Sequence, residues 1–153
     1  MLNDILLLVF LTFLPTMELR LSIPYGLFIM KLPPMIVIPV AIISNFIIGV
    51  IVFFLLKKLT NFFLKYKWFN KIYNKLVERT QRKIEKPVRK YGIFGVAIFI
   101  GIPLVGTGSW TGALGSYILG LGYRDFIIAN LIGVIMAGVI VSVLSLGILS
   151  LPI

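Results

Sequence analysis

Hydrophobic residues occur along this chain in runs of two lengths. Two long runs, 35–56 and 126–149, can each cross a bilayer, which takes about 20 helical residues. Four shorter runs come in pairs, and each pair is separated by a proline followed by polar or small residues. The pattern predicts two transmembrane helices and two pairs of short helical limbs.

The short limbs are too short to cross a membrane singly. They cover, in chain order, 5–14, 25–31, 93–102 and 116–122. Ten helical residues extend about 15 Å, roughly half of a ~30 Å hydrocarbon core. Irregular backbone at that depth is tolerated only where it is buried in protein or lines a watery cavity. We therefore expect two re-entrant hairpins, over 5–31 and 93–122, whose tips border a polar site.

The two halves of the chain repeat the same order of limb, polar loop, limb and full span. Pro15 and Pro103 open the two loops, and Asn45 and Asn130 hold corresponding positions in the two spans. Interrupted segments in corresponding positions are typical of transporters that bind substrate near the midplane. The pattern predicts an all-α polytopic membrane domain over 1–153, with inverted repeats 1–56 and 91–153 joined by segment 57–90.

The number of crossings in each half decides the topology. If the limbs form re-entrant hairpins, each half crosses once, the second half is inverted, and the linker lies opposite both termini. If the limbs form broken but spanning helices, each half crosses twice, and the linker and the termini share a side. The length of the limbs, near half a bilayer, favours the hairpins.

Composition supports a membrane protein. Hydrophobic residues make up 59% of the chain and charged residues 13%, against about 45–50% and about 25% in soluble domains. Lipid must therefore solvate most of the surface.

The net charge of +10 is confined to segment 57–90, which holds twelve Lys or Arg and two Glu. Apolar residues recur there at spacings of three and four, which predicts a basic amphipathic helix. The positive-inside rule places this helix in the cytoplasm, at the cell membrane and against anionic headgroups. Nucleic acid is a poor alternative partner, because the segment adjoins two membrane elements.

The first loop places two opposite charges in apolar sequence. Glu18 is a candidate proton carrier, because ionisable groups within membrane segments commonly lie on ion pathways. Arg20 could hold a phosphate or a carboxylate with its fork of donors. The structural alternatives are a static pair between the two side chains, an acid hydrated at the mouth of the hairpin, and an arginine that snorkels to the interface.

The second loop consists mainly of small residues, and its candidate site residues are Gly106, Thr107, Gly108, Ser109 and Thr111. Glycine lets the backbone approach a ligand or another segment closely, and successive N–H groups at a helix start can bind an anion. The three hydroxyls add donors and acceptors. The alternative is that the glycines only allow the hairpins to touch. We expect Asn45 and Asn130 to support the loops by hydrogen bonding.

Both loops resemble the small multidrug export protein family, a distant relative of the DedA-type (VTT, SNARE-associated) membrane proteins. The resemblance rests on Glu18-Leu19-Arg20 with Ile23-Pro24, on 102–114 and on 133–141. It implies export of small molecules. The DedA-like relatives imply movement of phospholipids or polyprenyl phosphates and proton-dependent transport.

We expect a transporter whose substrate crosses where the two loops meet, with proton coupling through Glu18 as a further hypothesis. The alternatives are a DedA-like lipid or polyprenyl-phosphate flippase and a membrane scaffold without a substrate. An enzyme is disfavoured, because Asp4 and Asp125 lie at segment ends and no lysine lies at depth. We expect no cofactor or metal, since histidine and cysteine are absent. Two spans and two hairpins make a thin bundle, which favours a homodimer.

Overall fold

The structure, a computed structural model, describes residues 2–63, 75, 92–104 and 107–149. These residues form helices joined by short turns, with no strand among them. The elements are α1 Leu2–Phe13, α2 Glu18–Pro24, a π-helical turn Tyr25–Ile29, α3 Pro34–Phe63, α4 Ile93–Gly101, α5 Ser109–Ile118 and α6 Tyr123–Leu149. Each half therefore has two short helices followed by one long helix, in the predicted order.

The two long helices contain stretches that can span a membrane. These stretches are Pro34–Lys58, of 25 residues and mean hydropathy 2.7, and Tyr123–Ile148, of 26 residues and mean hydropathy 2.6. Both exceed the roughly 20 residues that a bilayer core requires. The prediction of two membrane-spanning helices is therefore supported by length and composition.

The first long helix continues beyond its apolar run. The stretch that can span a membrane ends at Lys58, close to the predicted end at 56, whereas α3 continues to Phe63. The ammonium groups of Lys57 and Lys58 lie 5.3 and 5.8 Å from the ring centroids of Phe53 and Phe54, one turn earlier. Lysine is itself a good helix former, so the two charges do not end the helix. The predicted basic helix over 57–90 lies mostly outside the described residues and stays a prediction.

The long helices α3 and α6 pack antiparallel. Their contacts pair Ile42 with Gly138, Gly49 with Asn130 and Phe53 with Phe126. As the residue number rises along α3 it falls along α6, which defines the direction. Glycines at two of the three contacts allow close approach, since a Cβ at either would lie 2.6 Å from the facing side chain.

The short helices interleave the two halves. The first short helix of each half packs on its own long helix, α1 on α3 and α4 on α6. The second packs on the long helix of the other half, α2 on α6 and α5 on α3. This exchange places the first turns of α2 and α5 in the interior, where Glu18 and Ser109 are both buried.

The second limbs begin earlier than the sequence predicted. The second limb of the first half was predicted over 25–31, but α2 starts at Glu18 and ends at Pro24. The second limb of the other half begins at Ser109 and not at Ser116. In α2 the charged residues do not exclude helix, because the side chains of Glu18 and Arg20 bond the opposite loop. In α5 the first backbone N–H groups are capped by Glu18. Pro24 has no N–H, and the chain continues from it as the π-helical turn.

Candidate functional site

The breaks in the two halves face each other. In the first half the chain leaves α1 after Phe13 and enters α2 at Glu18, and in the second it leaves α4 after Gly101 and enters α5 at Ser109. Polar side chains of the first break bond backbone groups of the second. The candidate site is built from this contact.

The Glu18 carboxylate caps the N-terminus of α5. The backbone N–H groups of Ser109 and Trp110 donate to Glu18 Oε2 and Oε1 at 3.3 and 3.2 Å. The first N–H groups of a helix have no partner within it and carry a partial positive charge. A carboxylate at this position accepts the unpaired N–H groups and compensates the partial positive charge. It comes from a residue more than 90 positions earlier in the chain.

Glu18 reaches α5 from a strained backbone. Its φ is +47°, in the left-handed region that residues other than glycine rarely adopt. This conformation is destabilising by about 1–2 kcal/mol, and such strain persists only where the surroundings require it. The side chain is also only 4% exposed. The fold therefore holds this carboxylate in place at an energetic cost.

Gly108 allows this approach. Its φ is +127°, and a Cβ at this position would lie 2.1 Å from Glu18 Oε2. No other residue fits both the conformation and the space. The close backbone approach that the sequence predicted for this glycine is therefore made to the Glu18 side chain.

Arg20 bonds the other side of the same break. Its Nη1 donates to the Leu104 carbonyl, and its Nη2 donates to the Ile102 carbonyl at 3.3 Å and to Thr107 Oγ1 at 2.7 Å. Ile102 and Leu104 follow the C-terminus of α4, where carbonyls carry partial negative charge. Thr107 Oγ1 also lies 2.7 and 2.8 Å from the same two carbonyl oxygens. The guanidinium therefore holds the end of α4 and the loop after it.

We call Glu18 and Arg20, with the backbone groups they bond, the charge clamp. The acid faces the positive end of α5 and the base the negative end of α4. Each side chain compensates a helix end in the other half of the chain, so the hydrogen bonds described above do not form a closed Glu18–Arg20 pair.

A cavity of about 430 Å³ lies between the two loops. Both charged side chains of the clamp line it, together with the hydroxyls of Thr107 and Thr111. Its polar lining is Thr16, Glu18, Arg20, Thr107 and Thr111, and its apolar lining is Pro15, Met17, Leu21, Pro103 and Leu104. The cavity can thus receive a molecule with both polar and apolar parts.

The two asparagines have different roles. Asn45 on α3 adjoins the Glu18 carboxylate, next to the first loop. Asn130 Nδ2 instead donates to the Phe46 carbonyl at 3.1 Å and joins the two long helices.

Asn45 is the twelfth residue of the 25-residue apolar stretch Pro34–Lys58. Glu18 therefore lies level with the middle of that stretch.

The structure brings together seven of the nine predicted site residues: Glu18, Arg20, Asn45, Thr107, Gly108, Ser109 and Thr111. Asn130 belongs to the helix contact, and Gly106 lies outside the described residues. Ser109 contributes its backbone N–H to the Glu18 carboxylate, and its hydroxyl has no partner.

Sequence reasoning missed the backbone acceptors of Arg20, the carbonyls of Ile102 and Leu104. Backbone groups have no residue signature. The one available signal was Pro103, which breaks α4 and so predicts unpaired carbonyls at the end of that helix, next to Ile102. It gives no signal for Leu104, which follows the proline.

A family profile described as "Putative small multi-drug export protein" matches residues 18–140. The chain belongs to this family. No curated protein and no solved structure matches this chain. The small multi-drug export profile starts at Glu18 and covers the whole charge clamp and most of both long helices. The distant relationship to DedA-type proteins has no support in these comparisons and stays a prediction.

Proposed function

We propose that this chain exports small molecules across the cell membrane and that its substrate binds in the cavity between the loops. The observation that carries the proposal is the position of the charge clamp. A buried acid and a base line a cavity level with the middle of a membrane-capable helix. Ionisable groups at such depth are costly and usually serve transport. The family description, which names export, points the same way.

The proposed topology is an inverted repeat of two re-entrant hairpins and two spans. The antiparallel packing of α3 and α6 supports it, because hairpins that return to their own side leave one crossing for each half. Two broken spans in each half would instead make α3 and α6 parallel. With one crossing each, the basic linker lies on the cytoplasmic side and both termini lie outside.

The substrate class that fits the cavity is a small amphiphile. The terminal nitrogens of Arg20 already bond two carbonyls and a hydroxyl. Each oxygen of Glu18 accepts one backbone N–H and keeps further acceptor capacity. A ligand with a donor or cationic group therefore finds its partner in Glu18, while its apolar part lies against Leu21 and Leu104.

A second candidate is the movement of a lipid or a polyprenyl phosphate. An apolar groove of about 520 Å³ adjoins the cavity and shares Met17 and Leu21 with it. The pair of sites suits an acyl or prenyl chain beside a polar head.

We also propose a homodimer, because Leu21 and Leu104 are exposed at the rim of the cavity and a second copy would close it.

Flux into proteoliposomes tests both candidates. Purified protein is reconstituted, and uptake of an amphiphilic cation such as ethidium is measured beside transfer of a fluorescent phospholipid, with and without a pH gradient. Leu21→Trp fills the cavity, and Leu6→Trp is the matched control, since both leucines are exposed, at 51% and 59%, and Leu6 is not part of the cavity lining.

We expect Leu21→Trp to reduce flux of the transported class about tenfold or more, which corresponds to roughly 1.4 kcal/mol, and Leu6→Trp to leave it unchanged. Flux of neither class in the wild type, or equal flux in both variants, overturns the proposal.

A further inference from the structure

Two buried oxygen atoms beside the Glu18 carboxylate have no hydrogen-bond partner. They are Asn45 Oδ1 and Ser109 Oγ, in side chains that are 2% and 0% exposed. The Ser109 backbone N–H bonds the carboxylate, and the Asn45 side chain adjoins it. Buried polar atoms are almost always paired. Two unpaired acceptors around one carboxylate therefore point to a donor that this site binds.

The ionised carboxylate cannot be that donor, since it only accepts hydrogen bonds. It is surrounded by donors, the two N–H groups of α5 and the Asn45 amide. The protonated carboxyl group differs, because its O–H must find an acceptor. Two acceptors adjoin it: Ser109 Oγ, which has no partner in the structure, and Asn45 Oδ1, which rotation of the amide would exchange with Nδ2.

We propose that Glu18, Asn45 and Ser109 form a proton-binding site, in which Glu18 takes the proton and Asn45 or Ser109 accepts the new O–H. The inference rests on the proposed transport function and deepens it by identifying the coupling ion. A proton from water in the cavity forms an O–H bond on one carboxylate oxygen. That oxygen loses its negative charge, so its hydrogen bond from α5 becomes weaker. Asn45 and Ser109 act as positioning residues.

The binding of the proton changes the charge clamp on one side only. Arg20 keeps its bonds to the Ile102 and Leu104 carbonyls, while the N-terminus of α5 loses the compensating charge. The contact between the two loops then depends mainly on Arg20. Proton binding is thereby coupled to the contact between Glu18 and α5, the helix whose Thr111 lines the cavity.

Few charges compete with this site. Among the described residues, Arg20 is the charged group that acts on Glu18. The elements packed around Glu18 are α1, α3, α5 and α6, and their other described charges lie at helix ends: Asp4, Lys57, Lys58, Arg124 and Asp125. The pH dependence is therefore assigned to Glu18.

Infrared difference spectroscopy between high and low pH, on the full chain in liposomes, tests the proposal. We expect a carboxylic acid C=O band at low pH that is absent in Glu18→Gln. In Asn45→Val the band shifts to higher frequency, because the carboxyl group loses a hydrogen-bond partner. A band that keeps its wild-type position in Asn45→Val, or no band that depends on Glu18, overturns the proposal.

Ser109→Ala and Ser116→Ala form a matched pair of substitutions. Both serines are fully buried on α5 with unpartnered Oγ atoms, but Ser116 lies about two turns from the carboxylate. Ser109 Oγ makes no hydrogen bond to the ionised Glu18 carboxylate in the structure, so under this proposal Ser109→Ala removes an acceptor of the protonated form. We expect it to lower proton affinity about two- to tenfold and to move the low-pH band transition to lower pH. Ser116→Ala leaves the transition in place, and equal behaviour of the two variants contradicts the proposal.

The spectra separate this inference from the transport proposal. If wild-type protein shows the Glu18 band and its shifts but moves no substrate, the proton site stands and the transport function fails. If flux depends on the cavity but the band does not depend on Asn45 or Ser109, transport stands and the proton site is wrong.

Discussion

The two loops of this chain occupy corresponding positions and contribute opposite kinds of group. The first loop supplies side-chain charge, in Glu18 and Arg20. The second supplies backbone, the N–H groups that begin α5 and the carbonyls that follow α4. The repeat of elements is therefore not a repeat of chemistry. A charged loop at this depth is tolerated because the other loop presents a helix end of opposite partial charge to each of the two charged side chains.

This difference predicts unlike sensitivities. In the second loop, the residues that can be accommodated are limited by space and backbone conformation. In the first loop, stability depends on the number of hydrogen bonds that the charged side chains make. Substitutions that add one methyl group should therefore act most strongly in the second loop, and substitutions that remove donors should act in the first.

The largest effect is expected for Gly108→Ala. The added methyl group would lie 2.1 Å from Glu18 Oε2 at a φ of +127°, so strain and overlap add. We expect a loss of about 3 kcal/mol or more in the free energy of unfolding, together with loss of flux. Thermal unfolding in detergent, followed by tryptophan fluorescence, measures the first quantity.

Gly120→Ala is the control for Gly108→Ala. Gly120 also has a positive φ, +72°, but an added methyl group there would meet no other part of the chain within 4 Å. It reports backbone strain alone, about 1–2 kcal/mol. Equal losses in the two variants would show that the carboxylate does not lie against Gly108.

An intermediate effect is expected for Arg20→Gln. The substitution leaves the carbonyls after α4 without their charged donor, so we expect a loss of about 1–3 kcal/mol in unfolding free energy. Arg20→Lys should recover only part of it, since one ammonium lacks the planar fork that bonds three acceptors. Arg124→Gln, at an exposed site, should stay within about 0.5 kcal/mol. Full recovery in Arg20→Lys would reduce the role of Arg20 to charge alone.

The smallest effects separate two hydroxyls of the second loop. Thr107 Oγ1 bonds Arg20 at 2.7 Å, whereas Thr111 Oγ1 lies 3.4 Å from the Gly108 carbonyl, at the limit of a hydrogen bond. We expect Thr107→Val to lower the unfolding free energy by about 1 kcal/mol and Thr111→Val to leave it nearly unchanged. The same unfolding measurement on both variants checks this, and the reverse order would place Thr107 outside the charge clamp.

The sequence was most informative where the controlling physics is local. Two long apolar runs fix the long helices, and Pro15 and Pro103 fix the breaks, because helix length and proline geometry depend on neighbouring residues. Glu18, Arg20 and Gly108 could also be selected as candidate site residues, since ions in apolar sequence and glycine clusters are rare enough to stand out.

The partners of those residues could not be predicted. Glu18 bonds Ser109 across 91 positions of sequence, and Arg20 bonds backbone carbonyls more than 80 positions away. No periodicity links them. The early start of α2 was missed for the same reason, because a polar stretch can be helical when its side chains are satisfied by a distant segment.

The exchange of short helices between the halves has a consequence for synthesis. The ribosome synthesises α1 to α3 first. At that stage α6, which packs on α2 in the finished protein, does not yet exist, and the helix ends of α4 and α5 are not available to Glu18 and Arg20. The nascent first half therefore carries Glu18 and Arg20 without the backbone groups that bond them in the finished protein until α4 to α6 are inserted. We expect a chain truncated in the linker to lack the contact between the loops and to be less stable than the full chain.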